Sequence, residues 1–472
     1  MAERSLEQNG AADRQESGMD VTESASRMRR VRLVSSVALA LVSRLTALVV
    51  QIVGLPVALS ALGAMRYAEF LTIQASFGWF GLAGLGITVA LPGFLSAANV
   101  RGDEREQREL VLTSLAILGM ASLMVMAIVI GLAAIVSPQR LLGLHTDRVS
   151  GDFSLSFYIG ALFLCARMIV SYVASVRGGY QELHRVYAMS AIANLVVVGL
   201  IVSSFRRHAH IWVMFCFMFG PVVALLALDL VLMLNRRRYL VAGDWDMMQT
   251  LRRLLPTSLN AVLKQVSFYL MTSGTVVVLV RLVPLKEVAA YGSLMSVLTL
   301  IASGFGAVYS PMLAAMANAH SHSDRAWFWR AYLGGIAVTL AGTGFLVVVS
   351  FFAGPWLMRL WLHADLGVTR TLCTALSLYF VCWMLSEYHF VVLASMGKLQ
   401  GLGKIYVWEG IITLGCGGVL ASRYGLEGMA VGIAIGAAAF SIFYLPLRAW
   451  RIVARDGWET TDPDPLAVGD EL

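Results

Sequence analysis

FLTIQASFGWFGLAGLGITVALPGFLSAAN, residues 70–99, and YGSLMSVLTLIASGFGAVYSPMLAAMAN, residues 291–318, are two versions of one segment. Phe70 answers Tyr291, the Gly84/Gly86 pair answers Gly304/Gly306, and Pro-x-x-x-x-x-Ala-Asn closes both, at Pro92–Asn99 and Pro311–Asn318. The offset, about 219 to 221 residues, is nearly half of the 472-residue chain. A chain that repeats over half its length is built of two similar lobes.

The material of the lobes follows from composition. Hydrophobic residues make up 58% and charged residues 14%, where a soluble chain carries about 25% charge; mean hydropathy is +0.73. The apolar residues fall in runs of about 20, each enough to cross a hydrocarbon core of about 30 Å as a helix. Twelve spans are expected, at 33–60, 68–96, 109–136, 154–176, 187–205, 211–234, 255–283, 289–317, 329–353, 372–396, 405–421 and 426–447. The fold class is therefore an all-α polytopic membrane protein of two six-helix lobes. Six spans per lobe leave both in one orientation, related by a pseudo-two-fold axis along the membrane normal. The expected division is a tail at 1–26, a first lobe at 27–234, a basic linker at 235–254, a second lobe at 255–455 and a tail at 456–472.

Charge gives orientation. With the N-terminus inside, alternate links hold about 23 of the 36 Lys and Arg on the cytosolic side and about 10 outside, so both termini are expected in the cytosol. The pI of 9.2 is thus spent on topology and does not point to nucleic acid. All five cysteines lie in apolar runs without C-x-x-C spacing. No P-loop or H-E-x-x-H motif occurs, so no nucleotide hydrolysis, metal or cofactor is expected. No outer loop exceeds about 20 residues, unlike those of membrane glycosyltransferases and polymerases with large catalytic loops; a transporter without catalytic residues is expected, rather than an enzyme.

Three basic residues lie well inside spans: Arg44, Lys264 and Arg167. A guanidinium costs a few kcal/mol at mid-bilayer and needs a reason to be there. Carried back along the repeat, Arg44 stands 26 residues before Phe70 and Lys264 stands 27 before Tyr291, near-equivalent places about 15–18 Å into the first helix of each lobe. Two such cations facing a common axis would hold an anion. Intramembrane acids are few: Asp229, Glu387 and Glu409. The polar side chains Gln51, Gln74, Asn260, Gln265 and Tyr269 suit a hydrophilic path, since they offer both donors and acceptors to hydroxyls. Glu387, His389 and Asp229 are candidates for proton or sodium coupling. Glu387 and His389, two residues apart, point about 200° apart on a helix.

With six-plus-six spans, short loops and this repeat, the chain resembles the polysaccharide flippases (Wzx type) of the multidrug/oligosaccharidyl-lipid/polysaccharide exporter superfamily. The residues that carry the resemblance are the LG-x-x-x-Y-x-x-F step at Leu62–Phe70, VRGGYQELHRVY (176–187), VAAYGSLMSVLTLIASGFGAVYSPML (288–313) and MGKLQGLGKIYVWEG with YGLEGMAVGIAIG (396–410, 424–436). The resemblance implies translocation of an undecaprenyl-pyrophosphate-linked oligosaccharide across a bacterial inner membrane by alternating access. It implies that Arg44, Lys264 and Arg167 hold the pyrophosphate while the polar set lines the sugar path. Membrane lipids, and a polymerase and chain-length regulator of the same pathway, are the implied partners. The alternatives are a cation-coupled multidrug exporter and a lipid II-type flippase.

Overall fold

The computed structural model describes the backbone of residues 2–78, 82–142, 144, 150–203, 209–241, 245–399 and 401–456. It describes their side chains apart from 2–37, 82–86, 89, 90, 253, 255–261, 307, 310, 314, 321, 455 and 456. The expected tails, 1–26 and 456–472, lie outside the residues whose side chains are described.

The elements are helices throughout: α1 (Ala2–Gly78), α2 (Leu82–Arg101), α3 (Glu104–Ile135), the short α4 (Pro138–Leu141), α5 (Phe153–Gly179), α6 (Leu183–Ser203) and α7 (Ile211–Arg236). After the linker come α8 (Met247–Tyr269), α9 (Thr275–Leu282), α10 (Leu285–Ser321), α11 (Arg325–Leu362), α12 (Arg370–Ser395), α13 (Leu402–Ala438) and α14 (Leu445–Arg451). Among the described residues, ten helices are long and apolar enough to cross a membrane. Two of the ten are folded at a glycine. α1 breaks at Gly63 (φ 75°, ψ 163°) and α13 at Gly425 (φ 62°, ψ −141°), backbone conformations that an L side chain resists. Each break starts a further crossing, continued through α2 in the first case and through α14 in the second, and the twelve-span, two-lobe layout follows. Gly63 and Gly425 lie at the same end of the bundle, opposite the linker.

The repeat is visible in the turns. Gly102 (φ 70°) and Ser323 (φ 56°) are equivalent positions with positive φ. Each is followed by an aspartate that caps the next helix: Asp103 accepts from Glu106 N at 2.9 Å, and Asp324 from Trp327 N at 3.0 Å. Gln181 (φ 56°) and Gly397 (φ 70°) match in the same way, one turn after the fourth helix of each lobe. The last two crossings are held by a glycine seam at Gly428, Gly432 and Gly436. A Cβ at Gly432 would stand 2.5 Å from the Cys416 carbonyl oxygen, and one at Gly436 would stand 2.6 Å from Thr413 Cα. Small residues at a four-residue spacing let backbones touch, and this is how helices associate where the hydrophobic effect no longer drives them together.

The core shows how the lobes meet. Toward the Gly63 end a single apolar cluster joins both, with Leu62, Tyr67, Phe70 and Ile73 of the first lobe packed with Leu279, Ala290, Tyr291 and Leu294 of the second. Toward the linker end the core divides. One cluster there contains Leu91, Leu95, Leu110, Tyr172 and Met233, and the other Tyr332, Tyr388, Met396, Tyr406 and Ala449. Leu254 at the start of α8 is fully buried in the first of these, so the linker helix is pinned to the first lobe. Packing is thus shared by the lobes at one end and separate at the other, with a cavity between.

Candidate functional site

The inter-lobe cavity, about 530 Å³, is lined by α1, α2, α5 and α7 from one side and α8, α9 and α10 from the other. Its polar groups include Gln51, Gln74, Arg167, Ser171, Tyr269, Thr272 and Ser273. Two features of the second lobe shape it. A π-helical turn at Leu270–Gly274 interrupts the helix between α8 and α9, which turns Thr272 and Ser273 toward the space; such bulges are common at functional sites. Gly78 lies so close that a Cβ there would meet Ser273 Oγ at 2.7 Å, so the lobes touch directly at the cavity's edge.

Arg167 is the one cation in that lining. Its guanidinium lies 5.6 Å from the centroid of Phe219, and it is exposed to the open space. Among the described residues, no carboxylate pairs with it. Gln51 Oε1 is buried without a hydrogen-bond partner, an acceptor facing a site that can supply a donor.

The other expected cations are placed differently. Lys264 lines a second space of about 300 Å³ inside the second lobe, which shares Phe268 with the first as a dividing wall. Its Nζ donates to Glu387 Oε2 at 2.9 Å and stands 3.4 Å from the centre of the Phe390 ring. Gln265, Ser386, Tyr406 and Glu409 also belong to that lining. Glu409 is buried at 2% and accepts from Ser441 Oγ at 3.1 Å. The expectation that Lys264 and Arg44 face one axis therefore differs from the structure: Lys264 is turned into its own lobe, where a carboxylate neutralises it.

Arg44 is exposed and lines neither space. Its helix face can still be read. Leu45, Val49 and Ile52 form an exposed apolar strip. Ser43 faces α6, where its carbonyl accepts from Asn194 Nδ2 at 3.4 Å, and a Cβ at Gly54 would meet Ile201 at 3.4 Å. Arg44 falls between these strips. It is seven residues, two turns, from Gln51, and so lies on the same face about 10 Å nearer the linker end. Among the described residues it belongs to the lining of neither space.

Asn260 lies outside the residues whose side chains are described. His389, expected as a coupling candidate beside Glu387, is 1% exposed; its Nδ1 is 2.7 Å from the Leu385 carbonyl and its Nε2 3.4 Å from Tyr332 Oη. It faces packed aromatic rings and neither space. Asp229, the third such candidate, is buried against Arg177, with contacts of 2.6 Å and 3.3 Å. Arg177 also pairs with Glu182, which Arg237 holds at 2.9 Å. This network ties α5, α6, α7 and the start of the linker together. Sequence reading did not single out Arg177, because it lies at a helix end among loop charges. Glu69 also escaped it. That carboxylate is fully buried near the Gly63 end and accepts from Ser150 N at 3.0 Å and from the Ser150 hydroxyl.

Comparison with known proteins agrees with this architecture. No family model matches the chain, and no curated protein matches it. Solved structures do. An inward-facing multidrug resistance MATE family transporter of the MOP superfamily superposes with TM-score 0.66 at 15% identity, covering 90% of this chain and 99% of that one. The outward-facing form of such a transporter gives 0.60 at 14%, covering 88% and 95%. The lipid II flippase MurJ, in an inward closed conformation, gives 0.63 at 12%, covering 90% and 89%. The chain shares the fold of these solved transporters and is a multi-pass helical membrane protein.

Proposed function

We propose that this chain is a flippase carrying an undecaprenyl-pyrophosphate-linked oligosaccharide across the bacterial inner membrane by alternating access, with both termini cytosolic. The observation that carries the reading is Arg167. An arginine without a carboxylate partner among the described residues, in the wall of a space between two lobes, with glutamine, serine, threonine and tyrosine around it, suits a phosphate joined to sugars. Arg44 provides a second basic group on the entry path, and the apolar tail of the substrate stays in the bilayer. Lys264 plays a different part in this reading. Held by Glu387, it becomes available to an anion only when that carboxylate is protonated or takes a sodium ion, so the second-lobe pocket is where coupling acts. A polymerase and a chain-length regulator are the partners that would receive the product.

The test is export of surface glycan in cells carrying Arg167→Ala or Arg44→Ala, with membrane levels of the protein measured alongside. Arg167→Ala is expected to stop export at normal levels, and Arg167→Lys to restore part of it. Normal export by both alanine variants sinks the reading.

A second reading has its own support. The pair of carboxylates Glu387 and Glu409 in one lobe suits a cation-coupled exporter of drugs, and solved structures of the same fold are described as multidrug transporters. On that reading Glu387→Gln abolishes drug resistance, while glycan export never depends on the chain.

A further inference from the structure

The wall of the inter-lobe cavity keeps the register of the repeat. With Phe70 matched to Tyr291 the offset is 221, and at that offset Gln74 answers Met295, Ala75 answers Ser296 and Gly78 answers Thr299. All six line the cavity, so α10 and the part of α1 beyond Gly63 offer it matching faces. About one turn nearer the Gly63 end, the next matched pair, Leu71 and Gly292, lines it too. These two touch. A Cβ built on Gly292 would overlap Leu71 Cδ1 and stand 3.5 Å from its Cγ.

Contact between matched residues has a geometric meaning. A two-fold axis exchanges them, so each lies from the axis at half their separation. Leu71 and Gly292 therefore sit at the axis itself. A side chain there cannot meet its own copy: two leucines would collide, and two glycines would leave a hole. The repeat keeps an aromatic ring in both lobes one residue earlier, at Phe70 and Tyr291, and then splits into one large side chain and one absent one. Half-buried Leu71 is the knob, and buried Gly292 is the notch that receives it. Glycine at such a point lets helices of the two lobes approach closely.

The contact is also a boundary. Toward the Gly63 end lies the apolar cluster common to both lobes, in which Phe70 and Tyr291 are buried and against which Leu71 rests. Toward the linker end lie the cavity and the divided core.

We propose that Leu71 seated in the Gly292 notch is the axial gate that closes the cavity toward the Gly63 end, and that rocking of the lobes opens the cavity there by drawing the knob out. Packed interfaces switch between discrete arrangements rather than deform continuously, and a leucine in a glycine notch is either in or out. This gate rests on the alternating access proposed above, whatever the cavity carries.

The experiment measures electron–electron distances between nitroxides on Met65→Cys and Lys286→Cys, matched and exposed positions of the two lobes. It uses the full chain in detergent without substrate, its five native cysteines replaced by serine. Gly292→Leu places a second side chain at the axis and should raise the ratio of long- to short-distance populations about tenfold or more. Adding Leu71→Gly exchanges knob and notch and should return the ratio to that of the native pair. Gly304→Leu, on the same helix with open space around it, should leave the ratio unchanged. Should Gly292→Leu fail to accumulate in the membrane, Gly292→Ala, whose one added carbon already overlaps Leu71, takes its place, with Leu71→Ala as the relieving change. No shift with the Gly292 variant, an equal shift with Gly304→Leu, or a double variant as open as the Gly292 variant alone overturns the gate. Normal glycan export by the Arg167 and Arg44 variants would sink the substrate proposed above and leave these distances as they are.

Discussion

Trp361 is the side chain whose removal should move the whole molecule. Its indole supplies the hydrogen bond that Pro56 denies to Ile52, and it does so across the lobe boundary. Trp361→Phe keeps an aromatic ring in place and removes only the donor. A carbonyl left without a partner away from water costs about 1–3 kcal/mol, and this cost falls on the conformation in which the lobes meet at the Gly63 end. Since 1.4 kcal/mol is tenfold, the balance between that conformation and one opened at the Gly63 end should shift by about 5- to 150-fold. The assay is electron–electron distance measurement between nitroxides at Met65 and His363, both exposed and on opposite lobes. The variant should gain a longer-distance population. A second background sharpens the test. Pro56→Ala restores the N–H that Ile52 needs, so Trp361→Phe should have little effect there. An equal shift in both backgrounds, or none in either, refutes the argument that the proline-freed carbonyl is what the indole holds.

Three further outcomes follow from the packing. Asp229→Ala leaves Arg177, 1% exposed, without its bidentate partner; thermal unfolding should show a loss of about 3 kcal/mol, the low end for a broken buried pair because Glu182 remains. Gly432→Ala forces a Cβ against backbone on two sides and should cost about 1–3 kcal/mol, whereas Gly344→Ala, with open space around it, should not lower the melting temperature. For Glu182, burial pushes the carboxyl up, but hydrogen bonds from Arg237 and Arg177 outweigh it and hold it below the usual carboxylate range. A depressed folded-state value contributes stability above the unfolded carboxylate pKa that is lost as pH falls through the folded one. Unfolding measured from neutral pH down into the acid range should therefore lose stability at the acid end, and Glu182→Gln should flatten that loss.

The sequence by itself determined the membrane, the number of crossings and the two-fold repeat. These are properties of composition and period: hydrocarbon admits only backbone that satisfies itself, and a duplicated pattern in one orientation fixes the topology. It even placed the turn glycines, since Gly63 and Gly425 fall within the motifs that carry the family resemblance. It also marked Arg167, Gln51, Gln74 and Tyr269 as polar residues in apolar spans, and the fold brings these four around one cavity. What only the tertiary structure decided was which charges meet. Equivalence along the repeat suggested that Arg44 and Lys264 were partners. In the fold, the angle at which each helix faces its neighbours leaves Arg44 outside the lining of both spaces and turns Lys264 onto Glu387, 123 residues away. Sequence spacing fixes the angle between residues of one helix, but not the angle at which that helix faces its neighbours. The same holds for Trp361 and Ile52, 309 residues apart: the proline's missing N–H is plain in the sequence, while the donor that replaces it is known only once the lobes are packed.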